Sequence, residues 1–224
     1  LRPAEIASAA AAKRPVGWQR RRPFGLLCAE SEAIGLRCDL ETANAAAASA
    51  PTLTIIEIDG REVGELLAET GDRRRAAELL TCPVRRRLMR RRIGRCLVAM
   101  TRRAEPCFVQ WLLDHSDNQA LRRGFGATCP HLLRDEALVE GAFTLPSFDP
   151  DEIVPAAMAR IAARAAPLGV RWVHSFVPVE ETATLRLTLA AGFTLHQWRV
   201  QRRRLWRRTT SFGPLPADRQ QHPA

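Results

Sequence analysis

The chain of 224 residues has no tyrosine and a single lysine, Lys13. Without a phenol, no tyrosine can act as proton donor or acceptor. With a single lysine, arginine carries almost all the positive charge, a bias that reflects coding composition as much as function. Long hydrophobic runs are missing too. No apolar stretch approaches the ~20 residues that cross a bilayer as a helix, so no transmembrane segment is expected. Six cysteines are present, at positions 28, 38, 82, 96, 107 and 129, but none forms a CxxC pair. Zinc-binding spacing is therefore absent and no metal is expected. Scattered thiols suit small buried hydrophobes in a reducing compartment, so a cytoplasmic protein is expected.

What is present fits one ordinary domain with an extra segment. Hydrophobic residues make up 46%, enough for a core. The formal charge of +10 and the pI near 10.9 favour polyanionic contacts, such as nucleic acid, acidic lipid or a phosphorylated cofactor. A solvated basic surface is the competing reading.

Three regions are expected. Residues 1–52 carry Ala-rich tracts and the basic knot Arg20–Arg22 without a sustained apolar stripe, and are read as a poorly ordered extension. Their Arg- and Ala-rich, acid-poor start also matches transit-peptide composition. Residues 53–208 are read as the folded domain, and 209–224 as a disordered Pro-rich tail.

Within the domain, LTIIEID predicts a strand ended by the Asp59-Gly60 turn, followed by a helix over 62–68. A helical stretch follows, divided by Pro83. Residues 73–92 hold nine arginines and one acid, Glu78. Arginines 85–87 and 90–92 fall at helical spacing, a pattern suited to phosphate backbones but lacking an aromatic stacking platform. RCLVAMTRR and EPCFVQWLLDH predict a buried hairpin.

Residues 137–145 predict the next strand. Alternation puts Leu138, Glu140 and Ala142 on one face and Val139, Gly141 and Phe143 on the other. Burial of Glu140 would raise its pKa and make it a candidate base; an arginine-paired structural role is the alternative. A helix is predicted from Ile153, with Pro155 in its first turn, and a buried strand over 170–179 containing His174. That histidine reads as either a hydrogen-bonded core residue or a catalytic one. The last helix spans about 180–191. FTLHQWRVQRRRLW then reads as a strand or hairpin arm, its arginines between 199 and 208 interleaved with Trp198 and Trp206, which suits nucleic acid, a membrane surface or an exposed edge.

The order of elements resembles the GNAT acyltransferase superfamily over about Leu53 to Trp206. TATLRLTLAAGF is similar to its closing helix, N-x-x-[AS]-x-x-L-x-x-x-x-GF, with Leu185 or Leu187, Gly192 and Phe193 in place. AFTLPSF is similar to the strand and loop that lead into the cofactor site, with Pro146 and Phe148 matching, and AAMARIAARA resembles the cofactor helix.

The resemblance implies an α/β fold, a mixed sheet of about six or seven strands flanked by helices, with two parallel strands, 137–145 and 170–179, splayed apart. It implies acetyl-CoA or another acyl-CoA as co-substrate, held by Ala142, Phe143 and Thr144 on the strand and by Val154 and Pro155 at the helix start. It implies transfer of the acyl group to a small-molecule or peptide amine. Glu140 would be the base, His174 and Ser175 second choices, and Thr188 would stand where the family often has its acidic tyrosine.

At the cofactor loop the sequence departs from the family pattern. DPDEIV puts Asp149, Glu152 and Val154 where a basic or amide residue and two glycines stand, and Glu181 replaces the motif's asparagine. The alternatives are therefore a catalytically inactive GNAT-fold binding or regulatory domain, and a basic nucleic-acid-binding protein.

Overall fold

Residues Pro106–Asp114 are buried at every position, and this continuously apolar segment forms strand β4 in the interior of the sheet. The computed structural model describes residues 28–42, 52–60, 62–69, 77, 79–204 and 207–216. Its other strands are β1 (Cys28–Asp39), β2 (Thr54–Ile58), β3 (Arg95–Met100), β5 (Glu136–Thr144), β6 (Trp172–Pro178), β7 (Thr194–Arg204) and β8 (Arg207–Gly213). The helices are α1 (Glu62–Glu69), α2 (Pro83–Arg91), α3 (Asn118–Phe125), α4 (Pro150–Ala163) and α5 (Thr182–Ala190). None of the described helices is long and apolar enough to cross a membrane.

The eight strands form one sheet in the order β2-β3-β4-β5-β6-β1-β7-β8. Its pairings are antiparallel except for β5 with β6. Helices cover both faces. On one, Ile153, Ala157, Met158 and Ile161 of α4 and Leu185 and Leu187 of α5 pack with Ala137, Val139, Val173 and Val177. On the other, Val63, Leu88, Met89 and Leu121 of α1, α2 and α3 pack with Val98, Val109, Trp111, Leu138 and Phe176. The small residues of α4 permit the close approach that its alanines predict.

The largest correction concerns the N-terminal region. Residues 28–39, read from sequence as part of a poorly ordered extension, form β1 between β6 and β7. Only Ile34 and Leu36 advertise a strand there, and the surrounding Ala, Ser, Glu and Gly residues have weak β-propensity. The pairing partners supply what propensity lacks. Register runs from Ala33↔Pro178 to Asp39↔Trp172 on one side and from Cys28↔Arg204 to Arg37↔Thr194 on the other. Residues 1–27 and 43–51 lie outside the described residues. At the other end, residues 209–213, expected in a disordered tail, pair with β7 as part of β8. The remaining tail, 217–224, lies outside the described residues.

Gly35 shows how closely β1 is fitted. A β-carbon there would lie 2.6 Å from Gln197 Cγ and 2.9 Å from the Phe176 ring. Gly35→Val should therefore destabilise the fold by about 1–3 kcal/mol through overpacking. Urea unfolding measures this; an unchanged midpoint would mean that β1 is not seated between β6 and β7.

Candidate functional site

Strands β5 and β6 run parallel and pair at Glu136↔Trp172, Ala137↔Val173 and Leu138↔His174, and no further. Beyond Leu138, β5 has no strand on that side among the described residues. The pairing thus ends where the resemblance implies that the two strands splay into a V.

A bulge marks the same place. The β4–β5 register shifts between Val109↔Phe143 and Trp111↔Glu140, and Gly141 has φ +72°. A left-handed residue opposite a tightly packed neighbour favours glycine: a β-carbon would meet Arg85 Cγ at 3.0 Å and Trp111 Cε3 at 3.1 Å. The bulge also corrects the alternation expected from sequence. Phe143 packs in the cluster around Trp111 and Leu138, whereas Ala142 packs on the opposite face.

Glu140 stands just before the bulge, opposite Trp111. Burial pushes its carboxyl above the usual range; the Arg199 guanidinium and the Gly141 N–H, which donates to Glu140 Oε1 at 3.3 Å, pull it back. Arg199 lies over the Phe176 ring at 4.6 Å. Burial, with the charge of Glu140, pushes the Cys129 thiol up to about 12, so it is not poised as a thiolate nucleophile. Glu181, at the start of α5, accepts the Thr184 hydroxyl at 3.2 Å, and its carboxyl is raised by burial and by Glu180 and Glu140. In the sequence Glu181 is legible only as a departure from a motif; its electrostatic contact with Glu140 depends on the fold.

The other base candidates do not join Glu140. His174 pairs with Leu138 below the opening, and its Nε2 lies 3.4 Å from Glu136 Oε1. Ser175 follows it on β6 and is buried. Thr188 is fully buried, and its hydroxyl donates to the Thr184 carbonyl at 2.8 Å, with Met158 Sδ at 3.9 Å. It is committed to the α4–α5 contact and does not replace the missing tyrosine.

The cofactor residues divide in the same way. Ala142, Phe143 and Thr144 lie on β5 past the bulge, along the opening. Val154 and Pro155 lie inside a helix that begins at Pro150, not at Ile153 as expected. Val154 is buried in the core, and Pro155 has no N–H to give.

The start of α4 does not fit a diphosphate. Pro150 lacks an amide hydrogen, and Asp149 Oδ1 accepts the Asp151 N–H at 3.0 Å. The Glu152 and Ile153 amides go to the Asp149 carbonyl at 3.2 and 3.1 Å. The nearby cation, Arg186, is paired with Asp151 at 2.7 Å. Helix N-termini attract anions through free amides and partial positive charge; here the protein's own carboxylate occupies the seat.

The arginine clusters are also sorted by the fold. Arg85 is buried and donates to the Ala142 carbonyl at 3.1 Å, behind the bulge. Arg87 and Arg91 donate to the carbonyls of Gly124 and Arg123 at the end of α3. Arg202 pairs with Glu30 at 3.2 Å. Arginines 85–92 thus do not form one free cationic face.

No protein-family model matches the chain, and no curated protein matches it. Solved structures do. A putative GNAT-family acetyltransferase from Novosphingobium aromaticivorans aligns with 84% of this chain and 66% of its own, at 12% identity and a TM-score of 0.51. The glucosamine N-acetyltransferase region of a fungal multi-domain GH3 β-N-acetylglucosaminidase aligns with 83% of this chain and 21% of its own, at 14% identity and a TM-score of 0.51. A functionally unknown conserved protein from Staphylococcus epidermidis aligns with 77% and 61%, at 12% identity and a TM-score of 0.50. The chain spans less than two thirds of each of these proteins. At such identities the likeness shows the fold, which is GNAT-like.

The Asp149 cap should be measurable. Asp149→Ala should lower stability by about 1 kcal/mol through the lost N-cap bond. Chemical denaturation checks this; a variant as stable as the parent would mean that the carboxylate does not hold the Asp151 amide.

Proposed function

We propose that the protein is an N-acyltransferase that moves an acetyl or other acyl group from a thioester donor to an amine. The observation that supports this most is the opening between β5 and β6 with Glu140 on its wall, beside the Gly141 bulge. A donor of the acyl-CoA type supplies the activated acyl group when bound. Its arm would lie along Ala142, Phe143 and Thr144, on the stretch of β5 that extends past its pairing with β6. Helix α4 would contribute no phosphate seat, because its first amides are already used.

Glu140 takes the proton that the attacking amine gives up, directly or through one water. The C–N bond forms as the thioester C–S bond breaks, and the released thiolate would take its proton from solvent. The environment of Glu140 suits this role, because a carboxylate raised by burial is a stronger base than an exposed one. Arg199 keeps part of the carboxylate character by its positive charge. Phe176, under Arg199, makes an apolar wall. The acceptor is read as a small molecule or peptide carrying a primary amine.

A specific observation favours a second reading. The Asp149 cap and the Asp151–Arg186 pair close the end of α4 with carboxylates, which suits a GNAT-fold binding domain without acyl chemistry.

Calorimetry with acetyl-CoA and with acetylpantetheine separates the readings. The acyltransferase reading expects both donors to bind with similar affinity, because the nucleotide diphosphate gains nothing at α4. Absence of binding by either donor would establish the binding-domain reading instead. Where turnover is found, Glu140→Gln should lower kcat/KM by about 10²- to 10⁴-fold.

The pH profile has a defined sign. The active form of Glu140 is deprotonated, so the rate of the parent enzyme should rise with pH through a midpoint above the ordinary carboxylate range. Glu140→Gln should lose that limb. A limb retained in the variant would assign the base elsewhere.

A further inference from the structure

A separate cavity of about 440 Å³ lies beside the paired part of β5 and β6, where the V has not yet opened. Its walls include Glu136 of β5, His174 of β6, His196 and Gln197 of β7, and Thr210 and Phe212 of β8. Glu136 and Glu140 are four residues, about 13 Å, apart along one strand, and Cys129, which feels the charge of Glu140, also lines the cavity. The volume is that of a small-molecule site.

The lining contains polar groups that the protein does not satisfy. His174 is 5% exposed, and neither of its ring nitrogens has a hydrogen-bond partner among the described residues. The nearest approach, Nε2 to Glu136 Oε1 at 3.4 Å, is long and poorly aligned, so that contact is chiefly electrostatic. The buried hydroxyl oxygen of Thr210 is also without a partner among them. Native proteins pair nearly all buried polar atoms with protein, water or ligand. Orphaned groups gathered on one cavity are thus a request for a polar occupant.

The charge of the lining says which kind. Glu136 is the carboxylate in the wall, and its Oε2 accepts the Leu133 N–H at 3.0 Å. Burial lowers the pKa of both His174 and His196, whose rings lie 5.6 Å apart, and favours neutral imidazoles. A neutral imidazole carries one N–H and leaves its other nitrogen as an acceptor. The cavity is therefore rich in acceptors, with one negative charge and an aromatic wall at Phe212, which packs on Phe176 at 5.7 Å. Arg37, opposite His174 on β1, acts against a cation, but its guanidinium is stacked on the Trp172 ring at 3.8 Å.

We propose that this cavity is a binding site for a small organic ammonium ion, which donates hydrogen bonds to Glu136, His174 and Thr210 and sets its apolar body against Phe212. The site is independent of acyl transfer and needs no donor.

Three probes with one apolar body and different head groups test it: phenethylamine, phenethyl alcohol and hydrocinnamate. Each is titrated into the 224-residue chain, with calorimetry for affinity and the imidazole signals of His174 and His196 in NMR spectra for location. Phenethylamine should bind tightest and shift both sets of signals, and hydrocinnamate should bind weakest. Glu136→Gln, which keeps shape and one acceptor oxygen, should weaken phenethylamine about 10- to 100-fold while leaving phenethyl alcohol unchanged. Thermal unfolding establishes that the variant is folded; if it is not, the head-group order in the parent protein decides alone. Tighter binding of hydrocinnamate would overturn the proposal by making the histidines the cationic partner. No binding by any probe would overturn it too, leaving water as the occupant.

Discussion

Strand β1 joins the two halves of the sheet, and both candidate sites depend on it. It pairs with β6 on one side and β7 on the other. Without those hydrogen bonds, β6 would be an edge strand and the β7–β8 hairpin would have no place on the sheet. Arg199, which tunes Glu140, comes from β7; so do His196 and Gln197, and Thr210 and Phe212 come from β8. A segment with little strand propensity of its own thus sets the distance between groups more than 150 residues away. Buried pairing on both edges and the burial of Ile34, Leu36 and Cys38 outweigh weak local preference.

The opening of β5 from β6 and the start of α4 pull the functional reading in different directions. The end of the β5–β6 pairing at Leu138 leaves β5 without a strand partner on that side, although Arg85 already holds the Ala142 carbonyl at the bulge. At α4 the Asp149 carboxylate accepts the first free amide itself. A bound diphosphate would have to displace this carboxylate and stand beside Asp151 and Glu152. Like charges at ~4 Å repel by about 4 kcal/mol at an effective dielectric of 20, and water screens this in part. The strand side of the site and the helix side therefore call for different ligands, and a donor held by its arm reconciles them.

Much of the architecture is legible in the pattern of residues. The apolar runs at 95–100 and 106–114 form the expected hairpin, and 172–178 and 182–190 the expected strand and helix. Glu140 stands out in the sequence as a carboxylate in an apolar strand, and it lies two residues past the last β5–β6 pair. Position along a strand is harder to read than its existence. A single glycine, Gly141, changes the faces of Ala142 and Phe143, because a bulge adds one residue without leaving a mark in composition. Motif alignment puts Thr188 in the cleft, but helical rotation turns it into the α4–α5 contact. The helix start is easily misplaced because Pro155 resembles a first-turn proline, while Asp149-Pro150 is the stronger start signal: a capping carboxylate followed by proline at N1. Glu136, His174 and Thr210 lie far apart in the chain, and only the sheet order brings them to one cavity.

The arginine content, which makes a polyanion partner attractive at the level of composition, has a structural use that composition conceals. Arg85 holds the carbonyl of Ala142, Arg87 and Arg91 hold carbonyls at the end of α3, and Arg164 reaches the carbonyl of Ile55. Helix ends, bulges and, for Ile55, a sheet edge leave such carbonyls without partners. A planar guanidinium with five donors can satisfy them at long reach in a way a point-charge ammonium does less well. Arg37 and Arg171 stack on Trp172, and Arg199 on Phe176, so other guanidinium groups serve as flat packing elements. A net charge of +10 therefore overstates the freely available positive surface. Arg85 draws the two themes together: its guanidinium meets the Ala142 carbonyl and its stem closes over Gly141, so the bulge that opens the site is braced by a buried cation that composition would have assigned to the surface.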